Sequence, residues 1–186
     1  MKSKLCFLAS LLILLGGCDM YTIGISPWGP LDVYEESIEG FKEGLALNGF
    51  IEGENVEFIV RSAEFDLEKQ IDIADEFVRE DVDLIYSITA QGTLILKATI
   101  KDKPIVFNAI FPVETGIIDS FGQSGNNCVG IAANSPVNNQ YDYFYQLLPD
   151  MKSIAFLHYE GEPNSEIQKN EFLLFFAQKG ITVHDV

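Results

Sequence analysis

Apolar and polar positions alternate along this chain in two periods, one typical of strands and one typical of helices. The run YTIGIS at 21–26 predicts a strand, and apolar side chains then recur at helical spacing between Tyr34 and Leu45. Asp32 with Glu35 three residues later is typical of a capping box, so we expect Asp32 to cap this helix. Asn48 and Gly49 mark its end.

The same alternation continues along the rest of the chain. Strictly alternating strands and helices predict an α/β fold with an open parallel sheet and helices on both faces. Ligands of such sheets bind beyond the carboxyl ends of the strands. The further predicted strands are 56–60, 83–88, 104–109, 128–132, 153–159 and 181–186. One further predicted helix begins near Asp66, and three others cover 92–101, 136–148 and 165–179.

The first eighteen residues have the layout of a secretory signal peptide. Lys2 and Lys4 precede an apolar run at 5–15, and two glycines lead to Cys18. A membrane span needs ~20 apolar residues, and this run is too short. The sequence Leu-Gly-Gly-Cys resembles a bacterial lipobox, which implies cleavage before Cys18 and acylation of its sulfur. Ordinary secretion with a coincidental cysteine is the alternative.

Charge and cysteine content exclude several kinds of function. The chain has 28 acidic against 12 basic residues and a formal charge of −16, so it lacks the clustered cations that nucleic acids require. The acidic residues are scattered, which favours a solvated surface. If Cys6 leaves with the signal peptide and Cys18 carries lipid, Cys128 remains alone and no internal disulfide can form.

No motif for catalysis, metal binding or cofactor binding is found. The sequence lacks CxxC, HExxH, a GxSxG elbow, a P-loop and a GxGxxG after its first strand. We therefore expect a protein without a metal or cofactor that is not an enzyme.

Four segments, taken in order, resemble the solute-binding proteins of ABC importers, in the group with tryptophan- and tyrosine-type binding lipoproteins. They are GFKEGLALNGFIEGENVEF (40–58), DLIYSITAQGT (83–93), KPIVFNAIFPVETGI (103–117) and LLPDMKSIAFLHYEGEPNSEIQ (147–168).

The resemblance implies the type I periplasmic-binding fold, in which two α/β lobes close on a small ligand. Residues 1–18 would be the lipoprotein signal, 19–135 the complete first lobe and 136–186 a partial second lobe. Because a half-built parallel sheet leaves an apolar strand edge uncovered, we expect the chain to be shortened relative to its relatives or to need a partner.

The resemblance places the ligand site at loops after the strands. Thr89, Ala90 and Gln91 lie between a predicted strand and a helix start, where backbone N–H groups and the helix dipole suit a carboxylate. A plain helix cap is the alternative role for Thr89. Trp28, in the Pro-flanked turn after the first strand, could stack on a ligand or cover the end of the sheet. Phe111 follows the fourth strand and could face the ligand or lie in the core.

The second half of the chain adds further candidates. Asn134 follows the strand from Cys128, although turn chemistry explains it equally well. Tyr159, Asn164 and Ser165 lie at the first loop and helix start of the second lobe, and a comparable Asn-Ser contributes to the ligand site in relatives. Ser165 with Gln168 is also a sufficient N-cap pair.

The expected function is that of a lipid-anchored, extracytoplasmic solute-binding protein. It would capture a small molecule, such as an aromatic or other amino acid, and deliver it to an ABC permease in the membrane. The alternatives are a sensory or regulatory lipoprotein with the same fold, a secreted α/β enzyme of flavodoxin-like or hydrolase type, and a truncated, non-functional remnant.

Overall fold

Strands and helices alternate through residues 20–109, 111–132 and 137–186, which the computed structural model describes. The first sheet contains β1 (Tyr21–Pro27), β2 (Val56–Val60), β3 (Leu84–Ile88), β4 (Ile105–Ala109) and β5 (Cys128–Ala132), and its connections include α1 (Asp32–Leu47), α2 (Leu67–Arg79) and α3 (Ala90–Thr99). The second unit contains α4 (Val137–Leu147), β6 (Ser153–Phe156), α5 (Pro163–Gln178) and β7 (Thr182–Asp185). Within these described ranges, no helix is both long and apolar enough to cross a membrane.

All strand pairs are parallel, which confirms the predicted sheet. The first sheet has the order β2-β1-β3-β4-β5, and β6 pairs with β7 in the second unit. Strand order therefore reverses between β1 and β3, where Pro27 lies opposite Ile88. A reversal of this kind opens a crevice beyond the carboxyl ends of the two strands.

The first sheet is covered on both faces. In β3, Ile85 belongs to the apolar cluster that includes α2 and α3, and Tyr86 belongs to the cluster with Ile38 of α1. Gly24 of β1 permits close packing, because a Cβ atom there would lie 2.8 Å from the ring of Phe77 on α2. Burial on both faces explains why these strands are apolar throughout.

Four fully buried polar side chains join the first sheet to α2 and α3. The amide of Gln70 donates to the Ser26 hydroxyl at 3.0 Å, and the Ser87 and Thr93 hydroxyls lie 2.8 Å apart. Buried polar groups are costly unless they are paired. These bonds therefore favour one position of each helix on the sheet.

The second unit has an aromatic core of its own. Tyr141 of α4 packs against Phe172 and Phe176 of α5, together with Ile181. The Phe172 and Phe176 ring centroids lie 4.5 Å apart. This cluster holds α4 and α5 against the β6–β7 pair.

The start of α1 differs from the prediction. Leu31 is the N-cap residue with extended backbone, and no side chain caps the helix. Asp32 is instead the first helical residue, where its charge lies favourably near the positive end of the helix dipole. The predicted capping box at Asp32 is therefore wrong, because the helix starts one residue earlier than a cap at Asp32 would require.

The start of α5 and the end of β6 also differ from the predictions. Strand β6 ends at Phe156, which pairs with Asp185 of β7, and residues 157–162 form a loop. Glu162 caps α5, its side chain accepting from the Ser165 N–H at 2.7 Å, and Pro163 follows it. The predicted N-cap role of Ser165 is therefore wrong. Proline suits the first helical turn because its fixed φ is already helical.

We expect Gln70→Ala to lower the free energy of unfolding by about 2 to 4 kcal/mol, because it opens a cavity and leaves the Ser26 hydroxyl buried without its partner. Chemical denaturation measures this change. Asp75→Ala, at an exposed position of the same helix, is the matched control and should change stability by no more than about 0.5 kcal/mol. Equal stability of the two variants would contradict a structural role for the Ser26–Gln70 pair.

Candidate functional site

A cavity of about 810 Å³ lies at the reversal of strand order in the first sheet. Trp28 follows β1, Thr89 follows β3, and Asn108 lies near the end of β4. The loop after β6 and the first turns of α5 line the cavity from the second unit. The cavity therefore lies between the first sheet and the second unit.

Aromatic side chains form much of the cavity wall. Trp28 is 7% exposed, whereas Phe65 is 46% and Tyr159 is 67% exposed. A Cβ atom on Gly29 would lie 2.1 Å from the Phe65 ring, so the glycine allows that ring to pack on the turn after β1. Tyr34 of α1 completes this set of rings. Such walls suit an apolar or aromatic ligand body.

Thr89 has a backbone conformation that residues with a side chain rarely adopt. Its φ is 86° and its ψ is 160°. The Thr89 N–H donates to the Asn108 carbonyl at 2.9 Å, and the Thr89 carbonyl accepts from the Thr93 hydroxyl at 2.6 Å. Strained residues of this kind persist where surrounding bonds hold them, and they cluster at ligand sites.

The Thr89 hydroxyl itself is buried without a hydrogen-bond partner. Thr89 is the N-cap residue of α3, but its side chain makes no capping bond. The plain helix cap considered from sequence therefore does not describe this side chain. An orphaned hydroxyl on a cavity wall is a group that a bound ligand could satisfy.

A short chain of polar side chains lies on the first-sheet side of the cavity. The Asn108 amide donates to the Ser37 hydroxyl at 3.1 Å, and that hydroxyl lies 2.7 Å from the Tyr86 hydroxyl. Asn108 and Ser37 line the cavity. They offer polar groups beside the apolar rings.

The second unit contributes an acidic and amide-bearing wall. The Glu162 carboxylate accepts from the Ser165 N–H at 2.7 Å and from the Asn164 amide at 2.9 Å. The side-chain oxygen of Asn164 is buried and has no hydrogen-bond partner. Gln168, one turn further along α5, also lines the cavity.

The Glu162 carboxylate affects the pKa of a tyrosine hydroxyl that also lines the cavity. Burial raises the pKa of the Tyr34 hydroxyl, and the negative charge of Glu162 raises it further. Tyr34 belongs to α1, and Glu162 belongs to the loop before α5. Both effects favour the neutral, protonated form of the Tyr34 hydroxyl.

The structure brings together five of the residues proposed from sequence. The cavity is lined by Trp28, Thr89, Tyr159, Asn164 and Ser165.

Other proposed residues lie elsewhere. Ala90 is fully buried in the core of the first sheet, and Gln91 lines an adjoining groove. Phe111 is buried and is not among the cavity-lining residues. Asn134 and Cys18 lie outside the described residues.

Several lining residues were not identified from sequence. Tyr34 fits the apolar stripe of α1, and Glu162 lies between a predicted strand and a predicted helix. Asn108 did carry a signal, because it is a polar residue inside the apolar strand IVFNA. The missed residues are Val33, Tyr34, Ser37, Phe65, Ile88, Asn108, Ala109, Glu162 and Gln168.

Comparison of sequences identifies the family. The sequence model of the family described as ABC transporter substrate binding protein matches residues 30–186. A tyrosine-binding protein of Clostridioides difficile (strain R20291) is 29% identical over 147 residues, which are 78% of this chain and 43% of that protein. The chain thus spans less than half of that relative.

Comparison of structures gives the same fold. A conserved domain protein of Vibrio cholerae superposes with a TM-score of 0.84 at 27% identity, covering 90% of this chain and 57% of that one. A domain of Streptococcus pneumoniae in complex with L-Trp superposes with a TM-score of 0.82 at 23% identity, with the same coverage. Both solved chains extend well beyond the part that matches.

We expect Thr89→Gly to be more stable than Thr89→Ala by about 1 kcal/mol. Both substitutions remove the hydroxyl, but only glycine relieves the backbone strain at positive φ, which costs about 1 to 3 kcal/mol. Glycine also loses about 0.5 to 1 kcal/mol through its greater conformational entropy in the unfolded chain, so the net gain is smaller than the strain. Denaturation midpoints and slopes of the two variants measure the difference.

The matched control is the same pair of substitutions at Thr99, an exposed helical residue at the end of α3. There glycine should be less stable than alanine by up to about 1 kcal/mol. A Thr89→Gly variant that is no more stable than Thr89→Ala would show that the backbone at Thr89 is not strained.

Proposed function

Because this chain belongs to the ABC transporter substrate-binding protein family, we propose that it captures a small solute outside the cytoplasm for an ABC permease. Capture involves no chemical change of the solute. The first sheet with its helices and the second unit act as two lobes, assigned to residues 19–135 and 136–186, and the ligand lies between them.

The observation that supports this proposal is a pair of unsatisfied polar atoms at one cavity. Thr89 from the first lobe and Asn164 from the second both line the cavity, and each has a buried side-chain oxygen without a partner. Leaving such atoms unpaired costs about 1 to 3 kcal/mol each. A ligand that bonds both would recover this free energy and hold the two lobes together.

We propose that the solute is an amino acid with an aromatic or other apolar side chain. The N-terminus of α3 at Thr89 offers a donor hydroxyl and the positive end of a helix dipole to the ligand carboxylate. Trp28, Tyr34 and Phe65 offer apolar surface to the side chain. The names of two similar proteins, which refer to tyrosine and L-Trp, support this ligand class.

We also propose that Cys18 carries lipid and holds the mature protein at the membrane surface. Strand β1 begins at Tyr21, only a few residues after Cys18. The first lobe would therefore lie close to the membrane, within reach of a permease. Stable attachment needs more than one acyl chain, which lipoprotein modification supplies.

The ligand proposal is tested by calorimetric titration of the chain with tyrosine, tryptophan, phenylalanine and leucine. Trp28 is the single tryptophan in the sequence, so its fluorescence should also change when a non-fluorescent ligand enters the cavity. Thr89→Ala should weaken binding by roughly tenfold, the loss expected for one hydrogen bond of about 1.5 kcal/mol.

Gln91→Ala is the matched control for this titration. Gln91 lies two residues from Thr89 but lines the adjoining groove, so its removal should change affinity much less. Unchanged affinity in Thr89→Ala would remove Thr89 from the site. Absence of binding to every amino acid tested would contradict the proposed ligand class.

Replacement of Cys18 with serine should move the protein from the membrane fraction to the soluble fraction of cells, because serine has no sulfur to acylate. Cys6→Ser, within the predicted signal peptide, is the control and should leave the protein in the membrane fraction. If the Cys18→Ser protein loses its signal peptide and still sediments with membranes, the proposed attachment is wrong.

A further inference from the structure

Glu162 stands out among the described residues that line the cavity, because it is the single one with a formal charge. The remaining lining residues are aromatic, aliphatic, hydroxyl-bearing or amide-bearing. An anionic ligand would meet a carboxylate there without a cation on the lining to balance it.

Glu162 can accept more hydrogen bonds than the capping of α5 requires. One carboxylate oxygen accepts from the Ser165 N–H, and the other accepts from the Asn164 amide. A carboxylate has about four lone-pair sites, so about two remain for another donor. Ser, Thr, Asp and Asn are the preferred caps, so capping alone does not call for glutamate at this position.

A second acceptor lies beside the carboxylate. Asn164 donates to Glu162 through its amide nitrogen, and its oxygen is buried without a partner. Two neighbouring acceptors suit a group with several N–H donors, such as a protonated amine. The aromatic rings of Tyr34 and Tyr159 on the same cavity suit a cation as well.

The groove that adjoins the cavity is also lined by negatively charged side chains. It holds about 450 Å³ and shares Trp28, Phe65, Tyr159 and Glu162 with the cavity. Asp66, Glu68 and Glu160 also line it, and no lysine or arginine is among its described lining residues. A groove of one charge sign attracts ligands of the opposite sign.

We propose that this cavity selects its ligand through a protonated amine bound by Glu162 and Asn164, and that it rejects aromatic or aliphatic carboxylic acids that lack the amine. The inference rests on the proposed solute-binding function and specifies the group that confers selectivity. The amine is the group on which this selection depends. Glu162 is therefore a specificity-determining residue.

The test uses two sets of ligands that differ only in their charged groups. The aromatic set is tyrosine, tyramine and 3-(4-hydroxyphenyl)propionate, and the aliphatic set is leucine, isoamylamine and 4-methylpentanoate. In calorimetric titrations, the amine-bearing members of at least one set should bind roughly tenfold or more tightly than the deaminated acid, the gain expected for a charge-assisted hydrogen bond.

Glu162→Gln should abolish this preference, so that the amines and the deaminated acid bind within a few-fold of each other. Glutamine keeps an oxygen that can accept from the Ser165 N–H, so α5 should remain capped. Glu39→Gln is the matched control, because Glu39 is exposed on α1 and is not among the lining residues of the cavity or of the groove. It should keep the preference for the amine.

The outcomes separate the two proposals. If the deaminated acids bind the unaltered chain as tightly as the amines, amine selection is wrong and solute binding stands. If Glu162→Gln remains folded and keeps the preference, Glu162 is not the specificity residue. If no member of either set binds the unaltered chain, both amine selection and the proposed ligand class are wrong. If the Glu162→Gln protein does not fold, the titrations of the unaltered chain with the two ligand sets still test amine selection.

Discussion

The parallel pairing of β1 with β3 determines the position of the rest of the cavity. Pro27 lies opposite Ile88, so the next residue of each strand, Trp28 and Thr89, emerges at the same edge of the sheet. Helix α1 then covers one face of the sheet and α3 the other. Because the two connections leave in opposite directions, the space above the strand ends remains open for a ligand.

Buried polar bonds keep this crevice in one shape. The Thr93 hydroxyl donates to the Thr89 carbonyl and lies beside the Ser87 hydroxyl, so it ties the first turn of α3 to β3. The same turn leaves the Thr89 hydroxyl without a partner and its backbone at positive φ. The bonds of Thr93 thus stabilise a local conformation that is unfavourable by itself and that, under the proposed function, positions Thr89 for a ligand.

The fold and part of the cavity could be predicted because they depend on local patterns. Alternation of apolar strands and amphipathic helices is enough to predict a parallel sheet, and parallel topology is enough to place Trp28 and Thr89 near its carboxyl edge. Glu162 was missed for a non-local reason. The end of β6 is set by its pairing with β7 more than twenty residues later, so the sequence did not show where the loop begins or which residue caps α5.

Tyr34 shows a second limit of pattern reading. Its aromatic ring fits the apolar stripe of α1, and the ring does pack partly against the core clusters. The same ring also lines the cavity, because the first turn of α1 lies beyond the end of β1. Periodicity identifies which side of a helix is apolar, but it does not separate the part that meets the sheet from the part that meets a ligand.

Two helix N-termini lie at the cavity, and they differ in what they offer. The first turn of α5 is neutralised by Glu162, which accepts from its Ser165 N–H. The start of α3 has no such acid, and its N-cap hydroxyl is unpaired. The first-lobe side therefore presents a donor and a positive dipole end, while the second-lobe side presents a carboxylate and an amide oxygen. Under the proposed function, a zwitterionic solute would have one favourable orientation, with each of its charged groups on a different lobe, so that ligand charge itself would draw the lobes together.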